Sequence, residues 1–182
     1  GLDPNTSYDF TITSLKGDHL GNSETLTSVE TAPERVTNFI AETLFYDSAH
    51  LTWNQASGAT RYEITTLPET TSQTSNSLNS HLFTGLSSDS LYNFTITSYI
   101  GDQVGNTVTI TNLLTAPDSV TNFSNSLATY KDIYLTWDAS RGATDYEIVS
   151  VPETTTQISD GPTYHTFTGL NDNTTYNFTI TS

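Results

Sequence analysis

The chain is 182 residues long, with 20 acidic against 5 basic side chains, a net charge of −15, and neither cysteine nor methionine. That charge repels phosphate backbones and anionic bilayers, so nucleic acid and membrane surfaces are not expected partners. The missing cysteines exclude disulfides and thiolate metal sites, and no apolar run approaches the ~18–20 residues that span a bilayer.

Along the chain, apolar and polar residues alternate in short runs. Phe10 and Ile12 stand among Asp9, Thr11 and Thr13, which predicts a strand with one face in a core and one in water. Gly17-Asp18 is a hairpin turn, with a second glycine at Gly21. Ala32-Pro33 breaks the pattern. Leu51 and Trp53 flank Thr52; Asn54 to Gly58 is a turn; Tyr62 and Ile64 flank Glu63. His81 shares a face with Phe83, and Phe94 with Ile96. Gly101-Asp102 turns the chain again, with Gly105 beyond it, and Val108 and Ile110 sit among threonines. Ala116-Pro117 is a second break, after which Leu135, Trp137, Tyr146, Ile148, His165, Phe167, Phe178 and Ile180 repeat the earlier series. No helical period is present, so the reading is all-β, with about seven short strands per repeat.

The series recurs at a step of 84 residues, as Gly1, Gly85 and Gly169 show, and about half of the overlaid positions are identical. Fixed periods of this kind signal an array. Leu2-Asp3-Pro4-Asn5-Thr6-Ser7-Tyr8 resembles the E–F corner of a fibronectin type III domain, and Leu86 with Tyr92 and Leu170 with Tyr176 keep the same spacing. Leu51-Thr52-Trp53 and Leu135-Thr136-Trp137 resemble that family's strand B, and Tyr62-Glu63-Ile64 and Tyr146-Glu147-Ile148 its strand C. The Ala-Pro pairs resemble the junction before strand A. The resemblance implies tandem, seven-stranded antiparallel sandwiches, a corner tyrosine whose hydroxyl ties back to the backbone, and an extracellular or cell-surface setting. It does not imply one activity.

On that frame residues 1–31 supply strands F and G of a first repeat, residues 32–115 form a complete repeat, and residues 116–182 form a third repeat lacking strand G. Two expectations follow. One is a stretch of a longer array, in a chain or a filament. The other is strand donation, in which residues 15–31 complete the unfinished sheet of the next chain.

Candidate sites are few. Five sequons for N-linked glycan stand at Asn5, Asn93, Asn122, Asn173 and Asn177, close to what a chain so rich in Asn, Ser and Thr carries by chance. By alternation Asn93 and Asn177 face outward on strand F, while Asn5 and Asn173 lie in the E–F corner. Thr70-Thr71-Ser72 and Thr154-Thr155-Thr156, after Pro68-Glu69 and Pro152-Glu153, read as a Thr-rich edge strand or loop; as clusters near proline they could alternatively accept O-linked sugars. Lys16-Gly17-Asp18 resembles an integrin-type tripeptide, but Ile100-Gly101-Asp102 stands in its place in the next repeat, so Gly-Asp reads as a turn. His81 and His165 recur without partner ligands and read as packed residues; His19 and His50 read as surface. Glu30, Glu34 and Asp118 near the junctions raise a calcium-stiffened rod as a third reading. Tyr46, Tyr130 and Tyr99 are the aromatics that a binding surface would use. No phosphate loop, nucleophile elbow or supported acid pair is present, and the recurring Glu63/Glu147 and Glu69/Glu153 lack a cleft. The expected role is a structural array, a stalk, spacer or fibril-forming segment. It is not an enzyme, it needs no cofactor or metal, and its partners are neighbouring copies and glycans. The alternative is an adhesion or carbohydrate-binding module of a cell-surface protein or secreted hydrolase.

Overall fold

The computed structural model describes residues 1–68, 71–152, 155–161 and 163–182. Of the Thr/Ser clusters, Thr70 and Thr154 lie outside the described residues, as do Glu69 and Glu153. All described regular structure is β. The chain divides into two compact units, Gly1–Thr43 with His50–Phe83 and Leu91–Leu113, and Leu44–Ala49 with Thr84–Ser90 and Leu114–Ser182.

In the first unit, β1 (Ser7–Lys16) and β2 (His19–Glu30) form an antiparallel hairpin on their own. Next come β3 (Thr37–Leu44), β4 (Ser48–Asn54), β5 (Arg61–Leu67), β6 (Ser72–Ser75), β7 (Ser80–Thr84), β8 (Leu91–Ile100) and β9 (Gln103–Leu114). They make a three-stranded sheet, β3-β4-β7, and a four-stranded sheet, β6-β5-β8-β9. Seven antiparallel strands in two layers are what the alternation and the resemblance predict. The inward residues meet between the layers: Trp53 on β4 lies 5.0 Å from Tyr62 on β5, and Phe83 on β7 lies 5.4 Å from Phe94 on β8, both edge to face. Trp53, Tyr62, Ile64, Tyr92, Phe94 and Ile96 are all buried.

The second unit holds β10 (Thr121–Ala128), β11 (Ile133–Asp138), β12 (Asp145–Val151), β13 (Thr155–Asp160), β14 (Tyr164–Phe167) and β15 (Asn177–Thr181). Its sheets are β10-β11-β14 and β13-β12-β15, so β15 is an edge strand. The core repeats the first one, with Trp137 5.2 Å from Tyr146 and Phe167 5.0 Å from Phe178. It is less closed. Val120, Phe123, Phe178 and Ile180 are half-buried, whereas their counterparts Val36, Phe39, Phe94 and Ile96 are buried.

The abundance of threonine has a structural use. Across the hairpin, Thr11 bonds Thr25 at 2.8 Å and Thr13 bonds Ser23 at 2.7 Å; across β8 and β9, Thr95 bonds Thr109 at 2.8 Å. Such cross-strand hydroxyl pairs support a solvated sheet face without charge. The corner tyrosines behave as the resemblance implies. Tyr8 Oη accepts the Asp3 N–H at 2.8 Å, and Tyr176 Oη accepts the Asn171 N–H at 2.9 Å. A second tyrosine tie recurs in the B–C turn, where Ala56 N–H donates to Tyr62 Oη and Ser140 N–H to Tyr146 Oη.

Edge strands of the two layers are clasped by a histidine. His81 Nε2 on β7 meets Gln73 Oε1 on β6 at 3.0 Å, and His165 Nε2 on β14 meets Gln157 Oε1 on β13. Burial pushes both imidazoles below their usual pKa. The folded state therefore favours the neutral rings, and the unfolded chain takes up protons first. This stabilisation is complete above the unfolded histidine value of about 6.5 and is lost as pH falls through the lower folded value. The urea midpoint is expected to fall between about pH 7.5 and about pH 5.5. The fall should flatten in a His81→Gln, His165→Gln variant; an equally steep fall would remove the histidines as its cause.

Candidate functional site: the repeat junction

The closest recurrent chemistry in the molecule lies where one repeat meets the next. In the first unit the E–F corner of the hairpin touches the start of the next repeat. Asn5 N–H donates to Ala32 O at 3.3 Å, and Thr31 N–H donates to Thr6 O at 3.0 Å. Thr31 Oγ1 accepts the Thr6 N–H at 2.9 Å and donates to Asp3 O at 2.7 Å, so one hydroxyl bonds both ends of the corner. Glu34 N–H reaches Ser57 O in the B–C turn at 3.0 Å.

The second unit repeats this set. Asp89 N–H donates to Ala116 O at 3.1 Å, and Thr115 N–H to Ser90 O at 3.0 Å. Thr115 Oγ1 accepts the Ser90 N–H at 3.0 Å and donates to Ser87 O at 2.7 Å, and Asp118 N–H reaches Arg141 O at 2.9 Å. Thr115 is 2% exposed, so its hydroxyl is a buried latch whose bonds count fully. Arg141 adds a bond from Nη2 to Ser90 Oγ at 3.3 Å, which its counterpart Ser57 cannot make.

Both junctions need a glycine. Gly58 and Gly142 hold φ of +79° and +80°, a region that L-residues avoid. A Cβ on Gly58 would strike the Asn5 side chain, with Cγ at 2.9 Å, and one on Gly142 would strike Asp89, with Cγ at 2.6 Å. The residue pressed against each glycine is itself left-handed, with φ 46° at both Asn5 and Asp89, and the equivalent Asn173 has φ 54°. Asn and Asp tolerate that conformation better than other side chains. The recurring Thr-Ala-Pro at 31–33 and 115–117, and the recurring Gly-Ala-Thr at 58–60 and 142–144, are the sequence signals of this site. Sequence reasoning took the second as a turn only and missed the threonine.

The five sequon asparagines each have a place in the backbone. Asn5 and Asn173 hold the corner. Asn93 is half-buried on β8, and its Oδ1 accepts the N–H of Asn112, which is itself left-handed at φ 60°. Asp9 does the same for Ser28 in the hairpin, beside a register shift between Tyr8 and Phe10. A carboxylate thus replaces the amide, so the shared need is an acceptor oxygen. Asn122 has φ 53°, matching Asn38 at 51° where no sequon exists, and its Nδ2 donates to Asp138 Oδ2 at 2.6 Å. Asn177, the counterpart of Asn93, is exposed on β15.

The remaining candidates stay apart from the junction. Lys16-Gly17-Asp18 ends β1 and turns into β2, with Gly17 at φ 59° and Gly101 at 53° in the same role. His50 Nδ1 pairs with Glu42 Oε2 at 3.1 Å on the surface, and His19 opens β2 exposed. Thr71 precedes β6, Ser72 opens it, and Thr155 and Thr156 open β13; both are edge strands. Tyr46 and Tyr130 are exposed in turns, with Lys131 Nζ 5.7 Å from the Tyr130 ring. Tyr99 is not a free stacking face: the Arg61 guanidinium covers its ring at 4.0 Å, and its hydroxyl donates to Glu63 Oε2 at 2.8 Å. Bonds from Ser72 and Tyr99 hold the Glu63 carboxyl below its usual pKa. Among the described residues, no three His, Cys, Asp or Glu side chains converge as a bound cation requires, Glu30, Glu34 and Asp118 included.

Two facing antiparallel sheets, an inward Trp–Tyr pair and a corner tyrosine define fibronectin type III-like β-sandwiches in tandem. No protein-family model and no curated protein matches the chain. Among solved structures, a two-domain fibronectin type III segment of chicken tenascin is 20% identical over 82% of this chain and 89% of that one, with a TM-score of 0.44. The FN1–FN3 domains of chicken CNTN1 are 12% identical over 98% of this chain and 72% of that one, at 0.43. A variant named FN3tt is 26% identical over 43% of this chain and 92% of that one, at 0.39. The fold is defined by strand order, core and corner.

Proposed function

We propose that this chain is a structural repeat array, serving as a stalk, spacer or fibril-forming segment in an extracellular or cell-surface setting. The observation that carries the reading is the junction. A left-handed Asn or Asp at the corner, the same glycine and the same threonine latch recur at both junctions. Contacts that repeat at every step serve an array, whereas a binding module needs one repeat to differ in its display. The Ala-Pro pairs leave almost no linker, and proline biases the residue before it toward extended backbone. With strands as long as 7 residues in β4 and β5 and 12 in β9, at ~3.3 Å per residue, each repeat adds a few tens of ångströms of reach. Where a host attaches glycans, Asn93 would keep Oδ1 for the Asn112 N–H, while Asn122 would lose its bond to Asp138.

The test is small-angle scattering on dilute chain, beside a variant with a short Gly/Ser insertion between Ala116 and Pro117. The insertion is expected to broaden the distribution of interatomic distances. Identical curves would mean that the junction sets no spacing, and the spacer reading would fail.

A further inference from the structure

We propose that the outer face of the β10-β11-β14 sheet, in the third repeat, holds a neutral polysaccharide, with Tyr134 and Tyr164 as the rings on which its sugars stack.

Strand register builds the face. Tyr134, on the central strand β11, stands opposite Leu127 on β10 and Thr166 on β14. In the next outward row Thr136 stands opposite Ser124 and Tyr164. The two tyrosines are therefore diagonal neighbours on one face, at a spacing of about 7–8 Å. Leu135, Trp137 and Phe167 on the same strands are buried in the core, so alternation turns both tyrosines away from it. Tyr134 is 38% exposed, Leu127 54% and Tyr164 66%.

Openness of this face belongs to the repeat. In the middle sandwich, where all seven strands are present, the equivalent face of β3-β4-β7 is open too, with Ile40 51% and Leu82 50% exposed. What the face displays differs. At the 84-residue step the inward residues are identical: Phe39 and Phe123, Leu51 and Leu135, Trp53 and Trp137, Phe83 and Phe167. The outward ones change. Tyr134 stands where the middle repeat has His50, Tyr164 where it has Ser80, Ser126 where it has Glu42, and Ser124 where it has Ile40. The middle repeat closes its face with an ion pair, His50 Nδ1 to Glu42 Oε2 at 3.1 Å, and Thr52 Oγ1 donates to the same carboxylate. In the third repeat two rings and a set of hydroxyls replace that pair while the core is held.

This chemistry suits a sugar polymer. A pyranose offers polarised C–H bonds on its flat faces and hydroxyls around its edge. The negative face of a tyrosine ring attracts the first. Ser124, Thr136 and Thr166 donate to and accept from the second. Charge selects a neutral polymer. The two bases of the third repeat, Lys131 and Arg141, lie outside its strands, and a net charge of −15 repels sulfated or uronic chains. Asp138, the acid in the row beyond Thr136, is already engaged by Asn122 Nδ2 at 2.6 Å. A flat sheet cannot enclose a small molecule as a pocket does, whereas an extended polymer can lie across both rows. The proposal goes beyond the spacer reading and does not rest on it.

Affinity electrophoresis of the 182-residue chain is the test, because its charge carries it through native gels at neutral pH. The gels contain hydroxyethylcellulose, galactomannan, arabinoxylan or soluble starch, with alginate as the anionic control. Retardation is expected in at least one neutral gel and not in alginate. Tyr134→His, Tyr164→Ser installs the middle repeat's own residues, which this sandwich tolerates, and is expected to weaken binding by about tenfold or more. Tyr134→Phe, Tyr164→Phe keeps the rings and is expected to keep most of the binding. Retardation absent from all four neutral gels, unchanged in the His/Ser variant, or abolished in the Phe variant would overturn the proposal. So would self-association that the His/Ser variant removes while no gel retards the chain, because the face would then serve a second copy. Scattering on the Gly/Ser insertion reads spacing alone, so this proposal and the spacer reading fail separately.

Discussion

Trp53→Ala is expected to destabilise the middle sandwich by ~3–5 kcal/mol, a large share of what a domain of this size has. The indole touches Phe39 at 6.3 Å and Tyr62 at 5.0 Å between ring centres and is 4% exposed, so its removal opens a void that rigid sheets fill poorly. The whole loss is packing, because Trp53 Nε1 has no hydrogen-bond partner to forfeit. Trp137 offers an internal control. It also lacks an Nε1 partner, but it sits in a core whose Phe123 and Phe178 are half-buried. Water and side-chain movement relieve a void there, so Trp137→Ala should lose less, nearer ~2 kcal/mol. Urea unfolding followed by circular dichroism checks both. Equal losses would mean that the two cores are closed to the same degree.

Gly142→Ala is the second large effect, and it acts on the junction, not on a core. The left-handed backbone alone costs about 1–2 kcal/mol for an L-residue. The new methyl also meets Asp89, whose own φ of 46° leaves it little room to retreat. The two together are expected to exceed ~3 kcal/mol and to be relieved by separation of the corner from the B–C turn. Amide exchange gives the readout. The Asp89 N–H, bonded to Ala116 O, should exchange much faster in the variant, while the Trp137 N–H, bonded to Thr163 O, keeps its protection. Protection of Asp89 at the wild-type level would show that the glycine is not needed for close approach.

Alternation and repetition made much of this fold legible in the residues. Trp53, Tyr62, Ile64 and the Phe94–Ile96 pair read inward from a period of two, and the structure buries each of them. The corner tyrosine was legible because a leucine six positions earlier keeps its spacing three times. The junction was less legible, because its parts act through the backbone. Nothing in the letters Asn5, Asp89 and Asn173 announces a positive φ until the three are seen as one position that accepts either Asn or Asp. The same comparison, Asp9 with Asn93, shows that an acceptor oxygen is the common need at a site that otherwise reads as a sugar anchor. Thr31 and Thr115 escaped notice because threonine is everywhere in this chain. Only their place between Asp3 and Thr6, or Ser87 and Ser90, sets them apart.

The near identity of β1, β8 and β15 carries a liability during synthesis. Because Phe10-Thr11-Ile12-Thr13, Phe94-Thr95-Ile96-Thr97 and Phe178-Thr179-Ile180-Thr181 are identical, an emerging copy would fit a neighbour's half-built sheet, and the nearest rival is on the same polypeptide. Correct sorting then depends on order of emergence, because a repeat that closes before the next duplicate leaves the ribosome offers no vacancy. Slow translation across Ala116-Pro117 would thus favour fidelity.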